Sequence, residues 1–269
     1  MARTRHETAE APAAAPRKRI SADARRQQII DVARTLFARA GIDATSMRRI
    51  AADAGVTAPL LYRHFADKDA LLRAVCDGYF ARLDGYMTRA SLHVTTPIER
   101  LQVVMRAYVQ CGLEHPNEYE LTFMTALPRL RSARTSREAR ERHRRGETVP
   151  PELENEGTYV FGRLEEAVTE VILARRGSAA AVARKARSPA NTNTEVVAEA
   201  APIAEVIWAM GHGLVSLLNT HHEFGFSDRA LLVDTSIAMV LNGVLAPHAA
   251  GPPSAAQPPR PRRRPPGRG

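Results

Sequence analysis

The sequence predicts an all-α protein, with a small three-helix amino-terminal head followed by a larger helical domain. Apolar residues recur at three- and four-residue spacing along most of the chain between residues 21 and 246. No segment shows the sustained alternation that is typical of half-buried strands, and no internal repeat is present. A chain of 269 residues can form one large or two ordinary domains.

The first two helices of the head are predicted from their apolar residues and their ends. The first is expected to bury Ile29, Ile30, Ala33, Leu36, Phe37 and Ala40. Gly41 should end it, since glycine tolerates the backbone conformation of a helix C-terminus. The hydroxyls of Thr45 and Ser46 can accept hydrogen bonds from the first amides of a second helix, which should end at Gly55.

The third helix is expected to follow a short turn after Gly55, with Val56 packed between the helices. Thr57 can cap its start, and Pro59 fits its first turn because the missing amide costs little there. Phe65 should pack beneath it. Asp67 then begins the next helix, with Lys68 in its first turn. A cation is unfavourable at that end of a helix, so Lys68 indicates a nearby anion.

Two short helices around a tight turn predict a DNA-binding helix-turn-helix, whose second helix enters the major groove. Phosphate contacts are expected from Thr57, Tyr62, His64 and Lys68. Arg48 could reach a phosphate or a guanine edge, and the base-reading candidates are Arg48, Ala58, Pro59 and Leu60. The alternative is a solvated helical hairpin of a bundle, in which the same side chains only line the surface.

Residues 25 to 72 resemble the amino-terminal domain of the tetracycline-repressor (TetR/AcrR) family without a gap. The resemblance is carried by Ile50-Ala51, Ala54-Gly55-Val56, Leu61-Tyr62-x-His64-Phe65 and the Lys68-x-x-Leu71 segment. It implies phosphate contacts by Thr45, Thr57, Tyr62, His64 and Lys68, and base or backbone contacts by Arg48, Ala58, Pro59 and Leu60. It also implies a ligand-responsive transcription regulator, usually a repressor. We therefore expect a DNA-binding domain at 21–66.

The net charge of +9 is concentrated in the basic segments 1–26, 129–145 and 247–269, and the rest of the chain is net acidic. We predict a disordered basic arm at 1–20 and a disordered Pro/Arg-rich tail at 247–269, because neither segment can bury a core. The arm, together with Arg25 and Arg26, could strengthen phosphate binding. The tail is expected to aid solubility or to bind DNA without sequence preference.

A helical ligand-binding and dimerisation domain is predicted at 67–246, with flexible segments at about 131–151 and 177–202. Its helices are expected to span about 67–87, 97–114, 119–127, 152–175, 203–224 and 228–245. The first of these leads from the head into the body, Gly177 should end the fourth, and the last two should form an antiparallel pair. Two such pairs can form a four-helix bundle between protomers.

The resemblance also implies a homodimer built on the last two helices, because Trp208 to Gly213 is similar to a Trp-x-x-x-His-Gly pattern of one carboxy-terminal subgroup of the family. A dimer would read a palindromic operator and be released by a small-molecule inducer, which we expect to be apolar or aromatic. The candidate pocket residues are aromatic, Met or His on helices that should converge: Tyr79, Met87, Met105, Tyr108, Phe123, Met124, Phe161, Trp208 and His212. For each of them, ordinary core packing is the competing interpretation.

Two rival functions make different demands on the sequence. An enzyme would need an assembled site, but His221 and His222 are adjacent and point in different directions on a helix, and no metal-ligand spacing, nucleophile elbow or phosphate loop is present. We expect no catalysis, metal or cofactor. An architectural protein would bind DNA without sequence preference through the basic segments. Two cysteines, no apolar run long enough to span a bilayer and no signal peptide predict a cytoplasmic protein.

Overall fold

The computed structural model describes residues 20–126, 156–182 and 189–245, with isolated positions between 138 and 148. All regular structure within these ranges is helical, which confirms the predicted all-α class. The basic arm before Ile20, the tail at 247–269 and most of the arginine-rich segment lie outside the described residues. Nine α-helices are present in the described part: α1 Ala22–Ala40, α2 Met47–Asp53, α3 Ala58–His64, α4 Lys68–Ser91, α5 Pro97–Glu114, α6 Pro116–Tyr119, α7 Glu156–Val182, α8 Pro189–Thr220 and α9 Arg229–Leu245.

The chain divides into two compact units. Among the described ranges, the first unit contains 20–85, 114–126 and 156–159, and the second contains 86–113, 160–182 and 189–245. The helix α4 therefore begins in the first unit and ends in the second. The functional boundary between residues 66 and 67 stays a prediction.

The first unit is built around one apolar core that α1, α2, α3 and the start of α4 share. Ile29, Ile50 and Leu61, one from each of the first three helices, are completely buried in it. Leu121 and Ala126 from the segment after α6 complete this core. Of the residues expected to face inward from α1, Ala40 is exposed, because α1 ends there and Gly41 turns the chain away with φ +81°.

The helix starts expected at about residues 67 and 97 are confirmed by hydrogen bonds from the capping side chains of Asp67 and Thr96. Asp67 Oδ1 accepts from the amide of Ala70 at 2.7 Å, and Thr96 Oγ1 accepts from the amide of Glu99 at 3.3 Å. Along α4 the expected apolar stripe is buried, with Leu72, Val75, Tyr79, Phe80, Leu83 and Met87 all nearly inaccessible. These two caps thus define where α4 and α5 begin.

The helix expected from Tyr119 to Leu127 has a different form. The short α6 begins at Pro116, and the chain then widens into a π-helix over Glu120–Ala126. In this wider turn Leu121 and Ala126 reach the core of the first unit, whereas Phe123 packs edge to face with Tyr79 and Phe80, at ring centroid distances of 5.8 and 5.5 Å. Apolar packing therefore accompanies the unusual helix geometry.

Two expected helix ends in the second unit are wrong. The helix α7 passes through Gly177 to Val182, where a run of alanines, the strongest helix formers, follows the glycine. The helix α8 begins at Pro189, not at residue 203, and contains Pro202. Val196, Ala200 and Ala204 are buried on either side of Pro202, and this burial offsets the hydrogen bond that proline removes. Much of the segment expected to be a flexible connector at 177–202 is therefore helical.

The connection between the last two helices is also longer than expected. The helix α8 ends at Thr220, four residues before the predicted end, and a single 3-10 turn follows over His222–Phe224. Gly225 has φ +69°, which requires glycine or a residue that tolerates the left-handed region. Asp228 Oδ1 then accepts from the amides of Ala230 and Leu231, so it caps α9.

Within the part of the chain that the structure describes, one segment, Val196–Thr220, is long and apolar enough to cross a membrane by length and composition alone. The expectation that the chain contains no such run is therefore wrong. Core helices of soluble proteins meet the same criterion, so it does not decide where the protein resides. The low burial of this segment reflects exposed apolar side chains such as Val206 and Leu217.

Candidate nucleic-acid interface and ligand cavity

The helix α3 is held at both ends and along its buried side. The hydroxyl of Thr57 accepts from the amide of Leu60 at 3.4 Å, and Pro59 lies in the first turn. Leu61 is completely buried, and the amide of Phe65 donates to the carbonyl of Leu61 at 3.0 Å. The outer side of α3 is thereby fixed by its core contacts.

The outer side of α3 carries most of the residues expected to contact DNA. Pro59 and Tyr62 are exposed, with half of Tyr62 accessible, and Arg63 is exposed beside them. Ala58, Leu60 and His64 are half-buried at the edges of this face. The face therefore offers a phenol hydroxyl, an imidazole and small apolar groups to a partner.

The helix α2 is capped by Ser46, whose hydroxyl accepts from the amide of Arg49 at 3.2 Å. Arg48 and Arg49 are both exposed. Arg49 Nε lies 2.9 Å from a carboxylate oxygen of Asp53 one turn later, so part of its charge is neutralised within α2. Arg48 makes no hydrogen bond or ion pair with the described residues, which leaves its guanidinium available to DNA.

Thr45 has a structural position that the sequence did not indicate. Its side chain is 1% exposed, and its hydroxyl donates to the carbonyl of Gly41 at 2.8 Å. It does not cap α2. As the hydroxyl is buried and already hydrogen-bonded at the end of α1, it is not available to a phosphate in this conformation.

Lys68 also contacts the protein itself. Its ammonium group donates to the carbonyls of Ile42 and Thr45, at 2.8 and 3.2 Å. Neutral carbonyls thus accept the hydrogen bonds of Lys68, and the nearby anion that the sequence indicated stays a prediction. Lys68 therefore joins the start of α4 to the loop between α1 and α2, and this loop positions α2.

Three residues of α1 make supporting contacts that were not predicted from the sequence. Gln28 of α1 donates from Nε2 to the carbonyl of Ala54, at 2.9 Å, and accepts from Arg25 at its Oε1, at 2.8 Å. The guanidinium of Arg26 lies 4.9 Å from the ring centre of Phe65. Arg25 and Arg26 thus belong to α1. No spacing rule links Gln28 to a residue 26 positions away, so only the fold reveals this contact.

A cavity lies within the second unit. The volume open to the centre of a water molecule is about 30 Å³, within about 420 Å³ of atom-free space that includes solvent at its mouth. Four of the nine candidate pocket residues line it, namely Met87, Met105, Tyr108 and Trp208. The remaining lining residues are Val104, Val109, Leu164, Ile207, Met210, Gly211, Ser236 and Ile237.

The other five candidates lie in three kinds of surroundings. Phe161 and His212 contact Trp208, with ring centroids 5.9 and 5.8 Å away. Tyr79 and Phe123 pack with Phe80 and Tyr119 in an aromatic cluster of the first unit. Met124 is exposed. Tyr79, Phe123 and Met124 therefore do not line this cavity.

A tyrosine and a histidine form a polar pair beside the cavity. The hydroxyl of Tyr108 lies 3.4 Å from Nδ1 of His212. Burial lowers the pKa of His212 below its ordinary value, which favours the neutral imidazole near neutral pH. Among the described residues, no group of three or more His, Cys, Asp or Glu could hold a metal ion.

Family profiles match both parts of the chain. A profile described as "Bacterial regulatory proteins, tetR family" matches residues 29–75. A second, described as "Tetracyclin repressor-like, C-terminal domain", matches residues 101–240, which is more than half of the chain. The first match contains α2 and α3, and the second contains most of the residues that line the cavity.

Individual relatives agree with these profiles. The HTH-type transcriptional repressor KstR2 of Mycobacterium tuberculosis is 33% identical over 114 residues, which is 41% of this chain and 54% of that protein. The HTH-type transcriptional activator FasR of Mycolicibacterium smegmatis is 33% identical over 106 residues, 39% of this chain and 48% of that protein. The matches thus span about half the length of these curated relatives.

A solved structure shares the fold. A TetR-like transcriptional regulator from Rhodococcus sp. RHA1 superimposes with a TM-score of 0.52 and 17% identity, covering 84% of this chain and 98% of that one.

The position of Lys68 predicts that it stabilises the head more than it binds DNA. Lys68→Met removes two charge-assisted hydrogen bonds at a half-exposed site, so we expect the free energy of unfolding to fall by about 1–2 kcal/mol. The salt dependence of DNA binding should hardly change, since one lost phosphate contact would lower its slope by about 0.9. Chemical unfolding and binding titrations at several salt concentrations measure both quantities.

The control for this variant is Arg63→Met, which removes an exposed cation from α3 and should leave the unfolding free energy unchanged. A Lys68→Met protein of unaltered stability whose salt slope drops by about 0.9 would assign Lys68 to a phosphate instead.

Proposed function

Because this chain belongs to the tetR family of bacterial regulatory proteins, we propose that it regulates transcription by binding a specific DNA operator through α2 and α3. The observation that carries this proposal is the outer face of α3, which is rigidly supported from below and exposed to a partner. The family and the relatives named above are transcription regulators and not enzymes.

The contacts within this interface follow from exposure. We assign phosphate contacts to Tyr62, His64 and the start of α3 at Thr57, whose polar groups lie on or beside the outer face. Base contacts are assigned to Arg48, Ala58, Pro59 and Leu60, which belong to α2 and the first turn of α3. Thr45 and Lys68 act by holding α2 in position.

The active form is proposed to be a homodimer joined through α8 and α9. These two helices pack against each other and expose several large apolar side chains, among them Leu231, 59% exposed, and Met239, 65% exposed. Contact with a second copy would remove this apolar surface from water. A two-fold dimer carries two heads, so the operator should be palindromic, with half-sites one or more helical turns apart.

Release from DNA is proposed to follow from binding of a small apolar or aromatic inducer in the cavity of the second unit. The cavity is lined by the end of α4 at Met87 and by residues of α5, α7, α8 and α9. Because α4 continues from the cavity back to the head, a ligand that favours one position of α4 would favour one placement of the head.

We propose that the protein represses transcription. The relative KstR2 is a repressor and supports this proposal, although FasR is named an activator. We propose the cytoplasm as its compartment, because a transcription regulator must reach chromosomal DNA. An architectural DNA-binding protein is the alternative function, and its support is the basicity of 1–26 and 247–269.

The proposed function is tested by fluorescence-anisotropy titration of the full chain with DNA from upstream of its own gene, beside a scrambled duplex of equal length. At near-physiological salt we expect tight binding to the first only, with two protomers per site. Equal affinity for both, and for random genomic fragments, would support the architectural alternative.

Arg48→Ala should reduce sequence preference at one operator position, if the guanidinium reads a base edge. We expect discrimination at that position to fall by about 1–3 kcal/mol. Titration of a set of operators with single base-pair changes measures it. A uniform loss across the set would make Arg48 a phosphate contact.

Tyr62→Phe should weaken binding to every DNA sequence alike, by about 1–2 kcal/mol, because it deletes one hydrogen bond to a phosphate oxygen. The salt slope should stay constant, since the side chain carries no charge. Anisotropy with operator and scrambled duplexes provides the comparison. Loss of affinity for the operator alone would show that Tyr62 contributes to base recognition.

Leu231→Glu should dissociate the dimer, because it places a charge within the proposed interface. The matched control is Leu92→Glu, since Leu92 is 66% exposed and lies outside α8 and α9. Sedimentation velocity should give a folded monomer for the first variant and a dimer for the second. A dimeric Leu231→Glu protein would exclude this residue from the interface.

A further inference from the structure

The cavity of the second unit is lined without any charged side chain. Of its twelve lining residues, Ser236 and Tyr108 carry a hydroxyl group. The others are Trp208, Gly211, methionines and aliphatic residues. The hydroxyl of Ser236 donates to the carbonyl of Val233 at 2.8 Å. An ionised group placed in such surroundings would lose its hydration without gaining a partner of opposite charge.

The two arginines of α5 do not alter this conclusion. Arg100 pairs with Glu170 of α7 at 2.9 Å, and Arg106 pairs with Asp234 of α9. Neither arginine lines the cavity. An anionic ligand would meet no cationic side chain in the lining, and a cationic ligand would meet no anionic one.

One polar pair beside the cavity can orient a ligand. Tyr108 lines the cavity, and its hydroxyl lies 3.4 Å from Nδ1 of His212. A phenol and a neutral imidazole can each donate or accept a hydrogen bond, depending on tautomer and rotamer. The hydroxyl of Tyr108, which lines the cavity, can therefore hydrogen-bond one hydroxyl or carbonyl oxygen, and this suits a neutral ligand.

We propose that the cavity binds a compact, uncharged, mainly apolar molecule with a single hydroxyl or carbonyl group, oriented by Tyr108, whose hydroxyl lies beside His212. The inference rests on the proposed function insofar as this molecule is the inducer. The small open volume of about 30 Å³ favours compact ligands, and the apolar lining supplies most of the binding free energy.

Gly211 sets the position of the Tyr108 ring. A Cβ atom at residue 211 would lie 3.3 Å from Cδ1 and 3.5 Å from Cε1 of Tyr108. That spacing is tight enough to displace the ring. Gly213, on the same helix, has nothing within 4 Å of the equivalent point. The pair Gly211→Ala and Gly213→Ala therefore compares one substitution at two positions, of which only the first touches the cavity.

The chain contains one tryptophan, and it lines this cavity, so intrinsic fluorescence of Trp208 reports on occupancy directly. The full chain without DNA is titrated at neutral pH with cyclohexanol, cyclohexanecarboxylate and cyclohexylamine, which share a ring and differ in charge. We expect a saturable change with cyclohexanol and at least about tenfold weaker binding of both ions. Equal binding of either ion, or no saturable change with cyclohexanol, would overturn the proposal.

Two variants assign the signal to the cavity. Tyr108→Phe should weaken cyclohexanol binding about two- to tenfold through loss of one hydrogen bond. Gly211→Ala should weaken it several-fold, whereas Gly213→Ala should leave it unchanged, with circular dichroism confirming that all three variants are folded. Unchanged binding by Tyr108→Phe and Gly211→Ala, or equal loss in Gly211→Ala and Gly213→Ala, would overturn the site.

This outcome is separable from the proposed regulatory function. Saturable cyclohexanol binding by a protein that binds no DNA would support the cavity and contradict the regulator. Specific DNA binding without any saturable cyclohexanol signal would support the regulator and contradict the proposed ligand of the cavity.

Discussion

The recognition surface depends on the burial of Leu61 and Phe65 beneath α3. A helix of seven residues has too few internal hydrogen bonds to be stable alone, so its orientation must come from the core that α1 supplies through Ile29, Ile30 and Phe37. Around that core, Gln28 and Lys68 tie α2 to its neighbours through backbone carbonyls. The exposed face of α3 is the consequence of these buried contacts.

Much of the head could be predicted because its signals are local. The caps at Ser46, Thr57 and Asp67 act on amides three residues away, and Gly41 and Gly55 have the positive φ that their helix ends require. The roles of Thr45 and Lys68 could not be predicted. Whether a hydroxyl or an ammonium points to solvent or to a carbonyl depends on where the chain returns, and Lys68 bonds to residues 23 and 26 positions earlier.

The second unit shows the limits of local rules more clearly. Glycine at 177 predicted a helix end, and the small, polar composition of 177–202 predicted a flexible connector. Alanine propensity and burial of Val196, Ala200 and Ala204 instead sustain both helices. Residue type alone also identified only some of the residues that line the cavity. Met87, Met105, Tyr108 and Trp208 converge on one cavity, whereas Tyr79 and Phe123 belong to a cluster of the other unit. Aromatic side chains fill cores and line cavities alike, so composition alone could not separate them.

The central claim is that this head recognises a DNA sequence, and a selection from random duplexes tests it independently of any target gene. The full chain is incubated with a library of duplexes carrying a randomised central segment, and bound DNA is recovered, amplified and sequenced over successive rounds. The account predicts enrichment of one motif made of two inverted half-sites. Recovery of a library with no enriched motif, despite retained DNA binding, would contradict it.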